Sequence, residues 1–209
     1  MNKRPGDIVQ GDKTGDTPLS EIVKEYIAEK YNKPGAVYLG VVHRLDRPTS
    51  GIVVFARTSK ALARLNKLFS ERETEKTYWA IVKNSPEKDS DTLVHYLRRN
   101  PKQNKSYANK NEVPNSKKAI LRYFILKKLD RYSLIEIELE TGRHHQIRAQ
   151  LSAIGCPIKG DLKYGFDRSN KDGSIHLHAR RLSFMHPIKK ETVSIVAPPP
   201  LDVIWDSCL

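Results

Sequence analysis

The sequence has little cysteine and no long apolar run. Cys156 and Cys208 are the only cysteines among 209 residues, and they match no Cys-x-x-Cys spacing. We therefore expect neither a disulfide framework nor a cysteine-based metal or redox site. No stretch approaches the roughly 18 apolar residues of a membrane span, and the first residues lack the apolar core of a signal peptide. These features predict a soluble cytoplasmic protein with no membrane partner.

Acidic residues are too few to balance the basic ones. The chain has 37 Lys and Arg against 24 Asp and Glu, which gives a formal net charge of +13. This balance favours a polyanionic partner, with nucleic acid as the leading candidate. From charge alone, the alternative that the excess serves only solubility stays open. The length suits one large domain or two closely joined halves.

The segment around Asp46 is the most informative part of the chain. Asp46 lies between Arg44 and Arg47 in a turn-forming stretch that is flanked by apolar residues typical of strands. We expect a rigid loop between two buried strands, where scaffolds often present functional groups. Neighbouring guanidinium groups favour the charged form of a carboxylate, so Asp46 is predicted to be a nucleophile or a base. A lone Arg-x-Asp pattern is otherwise more often a surface ion pair.

The run His43-Arg44-Leu45-Asp46, followed two residues later by Thr49-Ser50-Gly51, resembles the signature of the RluA family of pseudouridine synthases. Further blocks match this family in its usual order: Lys76–Val82, Thr141–Arg148, Pro157–Asp161, Tyr164-Gly165, Leu177–Ala179 and Phe184–Pro187. The resemblance covers nearly the whole chain. It implies an α+β fold in which helices flank a mixed, largely antiparallel central sheet.

The resemblance also implies roles for five residues. Asp46 is the expected catalytic carboxylate, which either attacks the nucleotide or stabilises charge as the glycosidic bond breaks. Arg148 is the cation expected to pair with it, and Tyr78 is expected to stack on the target base and help remove the C5 proton. Arg44 resembles the family residue that enters the gap left by a flipped base. Leu177 is expected to line the uracil pocket, although a plain core leucine is an alternative.

The implied partner is RNA, either ribosomal or transfer RNA, and the isomerisation needs no cofactor and no metal. His144-His145 and His176-x-His178 could suggest a metal site. However, adjacent histidines in a helix point about 100° apart, and no cluster of Cys or carboxylates accompanies them. We expect a monomer. The rival interpretation is a catalytically idle RNA-binding or RNA-folding protein, which would explain the charge but would not require Asp46.

Local patterns predict the elements. We expect a helix with Thr17 as its N-cap and Pro18 as its first residue, and a second helix capped by Ser59. A third helix should span about His144–Ile154 and end at Gly155. The predicted strands are Ile52–Ala56, Thr77–Val82, Ala119–Lys127, Tyr132–Glu140, Ile175–Phe184 and Thr192–Val196, with Pro198-Pro199-Pro200 ending regular structure.

Three features set the chain apart. Asn2–Gly6 resembles the stretch that follows the family's opening strand, so we expect that edge strand to be missing. Gln150 stands where the family usually has His after the third motif. The polar stretch of about residues 84–118 is expected to be an exposed insertion whose lysines either follow phosphates or are merely solvated. We expect a single catalytic domain over residues 1–209, without the small S4-type RNA-binding domain that many relatives carry ahead of it.

Overall fold

The computed structural model describes residues 1–208. The helices are α1 (Leu19–Lys30), α2 (Ser59–Ser70), α3 (Gln146–Ala153) and α4 (Val203–Cys208), with a 3₁₀ turn at Leu162–Tyr164. The strands are β1 (Asn2–Lys3), β2 (Gly40–Val41), β3 (Ser50–Ile52), β4 (Phe55–Ala56), β5 (Thr74–Lys83), β6 (Ser90–Asn100), β7 (Lys105–Asn109), β8 (Ser116–Lys128), β9 (Tyr132–Leu139), β10 (Leu177–Met185) and β11 (Thr192–Val196). None of the helices in this part of the chain is long and apolar enough to cross a membrane.

Nine strands form one sheet in the order β1-β3-β10-β5-β9-β8-β6-β7, and β11 pairs with β10. Within residues 1–208, β3 and β10 form the single parallel pair, and every other pairing is antiparallel. β2 and β4 form a separate two-stranded ribbon. The prediction of an α+β fold with a mixed, largely antiparallel sheet is confirmed.

The main core lies between the middle of the sheet and α3. On β9, Ile135 and Ile137 alternate with glutamates and are fully buried, as the period-2 pattern predicts. Ile147 and Leu151 of α3 pack into the same cluster. Each such side chain contributes about 1.5–3 kcal/mol when it is removed from water. This packing fixes α3 on the sheet and therefore fixes the direction of its polar side chains.

The predicted starts of the first three helices are wrong by one or two residues. Pro18 is the N-cap of α1 and makes no side-chain cap bond, so α1 begins one residue after the predicted Pro18. Thr58, not Ser59, caps α2 by accepting a hydrogen bond from the Ala61 amide at 3.1 Å. α3 starts after His145, because His145 has a left-handed φ of 52° and cannot continue a helix.

The polar stretch of residues 84–118 is not a loop insertion. It forms β6, β7 and the start of β8, which complete one side of the sheet. Leu93, His95 and Leu97 of β6 are buried at alternate positions, and β7 is an edge strand. Edge strands need few apolar residues, since only one face and one edge are covered. The polar composition of residues 84–118 therefore did not indicate the strands that this stretch forms.

Three smaller expectations are also corrected. Asn2–Lys3, for which no strand was predicted, forms the edge strand β1 on β3. The predicted strand Ile52–Ala56 is split, because β3 pairs within the main sheet while β4 pairs with β2. Regular structure continues beyond the proline run as α4, whose first turn is capped by Asp202 Oδ1 accepting from the Ile204 amide at 2.9 Å.

Candidate active site

A loop of residues 42–49 carries Asp46 from β2 to β3, and a buried lysine holds it in place. Lys3 is 1% exposed, and its Nζ donates to the backbone oxygens of Arg4, Arg47 and Thr49 at 2.9, 3.0 and 2.7 Å. Burial lowers the pKa of Lys3 to about 8. The loop ends at Gly51, which has φ of 115°, where a Cβ would collide with the Ala179 backbone. The Asp46 loop is therefore anchored at its exit.

Asp46 lines a cleft, and its side chain is 32% exposed. Its Oδ2 accepts a hydrogen bond from Arg148 Nη1 at 2.9 Å, as the resemblance implied. The flanking arginines do not supply its counter-charge. Arg47 pairs with Asp16 at 2.6 Å, and Arg44 is an exposed residue of the cleft lining. The prediction that Arg44 and Arg47 supply the positive charge beside Asp46 is therefore wrong, because the cation that contacts it is Arg148 on α3.

Arg148 has a second acidic partner that the sequence analysis missed. Asp161, 1% exposed, accepts from Arg148 Nε at 2.7 Å and from Nη2 at 2.8 Å, which is a bidentate pair. Burial alone disfavours the charged guanidinium, but the bonds and charge of Asp161, followed by those of Asp46, raise the pKa of Arg148 above its ordinary value. Asp161 lies within a matched motif, yet nothing local in the sequence indicates its partner.

Behind Arg148 lies a layer of aromatic side chains. The Arg148 guanidinium carbon is 5.0 Å from the centre of the Tyr164 ring. The Tyr164 hydroxyl lies 2.9 Å from Nδ1 of His145, whose Nε2 is 3.5 Å from Asp46 Oδ2. The rings of His144 and His145 stack at 3.8 Å. We had expected these two side chains to point in different directions from a helix, but their rings stack. Burial lowers the pKa of His145 to about 3, so its imidazole is neutral at pH 7.

The other predicted site residues line the same cleft. Tyr78 on β5 forms part of its wall, and burial raises the pKa of Tyr78 to about 12. Leu177 on β10 is buried at 4% exposure and still contributes to the lining. The structure thus brings Asp46, Arg148, Tyr78, Arg44 and Leu177 together around one cavity of about 690 Å³. Basic side chains share that lining: Arg72, Lys76, Arg99 and Arg143.

Several polar residues outside the cleft have structural partners. Gln150, fully buried, donates from Nε2 to the Leu93 carbonyl at 3.0 Å and so ties α3 to β6. His176 contacts Asp202 at 3.0 Å, and His178 contacts Ser50 at 2.9 Å. Within residues 1–208 there is no group of three or more His, Cys, Asp or Glu side chains that could hold a metal ion.

The α+β fold and a cleft that places Asp46 among basic side chains agree with the class that the sequence comparison gives. The sequence matches the family described as RNA pseudouridylate synthase over residues 1–153, and the chain belongs to that family.

The relatives agree with this assignment. A protein of Aquifex aeolicus named as an uncharacterized RNA pseudouridine synthase is 36% identical over 162 residues, covering 73% of this chain and 50% of that protein. Ribosomal large subunit pseudouridine synthase C of Buchnera aphidicola is 34% identical over 191 residues, covering 88% and 58%. The resemblance to the RluA family is thereby confirmed. The chain spans about half the length of the curated relatives it matches.

Solved structures show the same architecture. The human RNA pseudouridylate synthase domain containing 4 has a TM-score of 0.81 and 24% identity, and the match covers 95% of this chain and 84% of that one. Human RNA pseudouridylate synthase domain containing 1 has a TM-score of 0.72, also at 24% identity, with 97% and 86% covered. At this identity the likeness establishes the fold alone.

Proposed function

We propose that this chain isomerises uridine to pseudouridine in RNA, with Asp46 as the catalytic carboxylate. One observation carries the proposal. Asp46 Oδ2 is bonded to Arg148, while no group in residues 1–208 donates to Oδ1. The carboxylate is thus held on one side and free on the other, in a cleft of about 690 Å³. A bound nucleotide can meet the free oxygen.

The reaction breaks the bond between N1 and C1′ of the uridine and forms a bond between C5 and C1′. The base turns within the site, C5 loses a proton and N1 gains one, so the atoms balance without a redox partner. A carboxylate can assist by attacking the nucleotide or by stabilising the positive charge that develops as the bond breaks. Both roles require a carboxylate that is not already neutralised by several donors. Asp46 meets this requirement, because its one short hydrogen bond comes from Arg148.

Tyr78 and Leu177 are proposed to hold the uracil ring. The base must leave its stack to reach Asp46, and aromatic stacking and apolar contact compensate for the lost neighbours. Because the pKa of Tyr78 is raised to about 12, its hydroxyl is protonated at neutral pH. A neutral phenol is not a base for the C5 proton, so Tyr78 is proposed to help that step by holding the uracil ring in place. Arg44 is an exposed residue of the cleft lining, and we propose that it enters the gap in the RNA.

The partner proposed is structured RNA. A net charge of +13 and the basic lining of the cleft favour a phosphate backbone. Ribosomal RNA is the first candidate, because a relative is named for the large ribosomal subunit. Transfer RNA is the alternative.

The test is release of tritium from RNA that carries uridine labelled at C5. The wild-type protein should release it, while Asp46→Asn should fold and bind RNA but release only background. Asp167→Asn is a matched control, because Asp167 is largely exposed and pairs with Lys83 away from the cleft. Turnover by Asp46→Asn would refute the role of Asp46. Absence of release by the wild-type protein on ribosomal and transfer RNA alike would favour the idle RNA-binding interpretation.

Comparison of pseudouridine positions in total RNA from cells with and without the gene would then identify the modified site. A position lost with the gene and restored by the wild-type gene, but not by the Asp46→Asn form, is the expected result.

A further inference from the structure

The hydrogen bonds around Tyr164 determine where its proton lies. The Tyr164 oxygen is 2.8 Å from the backbone nitrogen of Ser106 and 2.9 Å from Nδ1 of His145. The Ser106 N–H can only donate, so the phenol oxygen accepts there. Tyr164 is 3% exposed, so solvent is not available to its hydroxyl. A buried hydroxyl without an acceptor is strongly disfavoured, and in residues 1–208 the one acceptor within reach is Nδ1 of His145.

This assignment fixes the tautomer of His145. Since the imidazole is neutral and its Nδ1 accepts from Tyr164, its single ring proton is on Nε2. That nitrogen lies 3.5 Å from Asp46 Oδ2. The ring nitrogen that carries the proton is therefore the one nearer to the carboxylate.

We propose that His145 is a positioning residue for Asp46: a neutral imidazole that presents Nε2–H to the carboxylate, in a tautomer set by the hydroxyl of Tyr164. This inference rests on the proposed role of Asp46. The separation of 3.5 Å is long for a hydrogen bond, and such contacts commonly shorten when substrate fills the site.

The arrangement orients the carboxylate. Arg148 and His145 both contact Oδ2, so together they hold that oxygen in place, while Oδ1 has no donor within residues 1–208. The opposite tautomer would place a nitrogen lone pair against a negative oxygen, which is repulsive. The stacking of His144 on His145, at 3.8 Å, holds the plane of the imidazole. His144 is itself fixed to β7 through Ser106 Oγ, at 2.9 Å.

The tautomer is measured directly by nitrogen NMR of protein labelled at histidine. The signals of His145 are identified as those missing in His145→Gln. We expect a neutral ring with a bare Nδ1 and a protonated Nε2 in the wild-type protein. Tyr164→Phe keeps the ring beside Arg148 but removes the donor, so Nδ1 should become protonated in a measurable fraction of molecules. A proton on Nδ1 in the wild-type protein, or no change in Tyr164→Phe, would overturn the proposal.

A kinetic comparison tests the consequence for the reaction. Gln can offer an amide N–H close to the position of Nε2, whereas Leu cannot, and both variants share the strain of a left-handed backbone at residue 145. His145→Leu should lower kcat about tenfold or more, with the RNA dissociation constant changed less than about twofold. His145→Gln should lose several-fold less. Equal losses in the two variants, or a loss confined to KM, would contradict a positioning role.

The two measurements separate this proposal from the proposed function. The NMR result needs no turnover, so it stands or fails even if Asp46→Asn proves active. If His145→Leu does not fold, as judged by circular dichroism, the Tyr164→Phe spectrum still decides the question.

Discussion

Replacing Asp161 by Asn should destabilise the protein far more than replacing Asp46 by Asn, although both carboxylates pair with Arg148. Arg148 makes two short hydrogen bonds to Asp161 and one to Asp46. Asp161 is 1% exposed, whereas the Asp46 side chain is 32% exposed. The substitution keeps the size of the side chain and removes only its charge and one acceptor.

The expected magnitudes follow from this difference in burial. Removing the buried partner of an ion pair typically costs about 3–5 kcal/mol, because the other charge is stranded. Asp46→Asn leaves the bidentate pair of Arg148 intact, so its cost should be about 1 kcal/mol or less. The gap of about 2–4 kcal/mol corresponds to roughly 4–16 °C in Tm, at about 2–4 °C per kcal/mol for a chain of this size.

Urea unfolding at pH 7 measures the gap. Tryptophan fluorescence is a suitable signal, since Trp205 is 2% exposed and packs in the core. Asp167→Asn serves as the control for loss of an exposed acid. If Asp161→Asn and Asp46→Asn differ by less than about 1 kcal/mol, then Asp161 does not compensate the charge of Arg148 as the geometry indicates.

Further outcomes can be checked in the same way. Asp46→Asn and Arg148→Met should not have independent effects on turnover, because they form one unit; factors that simply multiply in the double variant would contradict the pairing. RNA affinity should fall with salt by roughly 0.7 to 0.9 log units per phosphate contact for each log unit of salt, and a stem-loop should outcompete its duplex; affinity indifferent to salt would refute electrostatic binding. The free energy of unfolding of the wild-type protein should increase relative to that of Lys3→Met as pH rises from about 8 to 10.5. In that range the unfolded chain holds more protons than the folded one, so the difference in unfolding free energy should grow by about 3 kcal/mol, and a flat or opposite trend would contradict the burial of a charged Lys3.

The sequence was sufficient where structure follows from local pattern. The alternation along Tyr132–Glu140 predicts the buried face of β9, and the ordered motifs predict the residues that meet in the cleft. It was insufficient where partners are distant. Arg44 and Arg47 lie within two residues of Asp46 in sequence, yet the paired cation is Arg148, which is 102 residues away.

Other errors have local causes. Thr58 and Ser59 are both good cap residues, so only backbone geometry decides which of them caps α2. The left-handed φ of His145 keeps this residue out of α3, and residue type does not determine that angle. The edge strand β7 is stabilised by pairing with β6 and not by apolar content, so hydrophobic periodicity could not find it.

The position of β10 constrains the order in which a functional molecule can form. β10 inserts between β3 and β5, and Ser50 of β3 contacts His178 of β10 across 128 residues of sequence. Contacts this distant in sequence form late, because the chain loses the entropy of closing a long loop before the stabilising contacts are made. Until residues 177–185 have been made and have paired, β3 has only the two-residue strand β1 beside it, and Gly51 lacks the Ala179 backbone against which it packs. We therefore expect the cleft around Asp46 to form only after residues 177–185 have been synthesised and have joined the sheet.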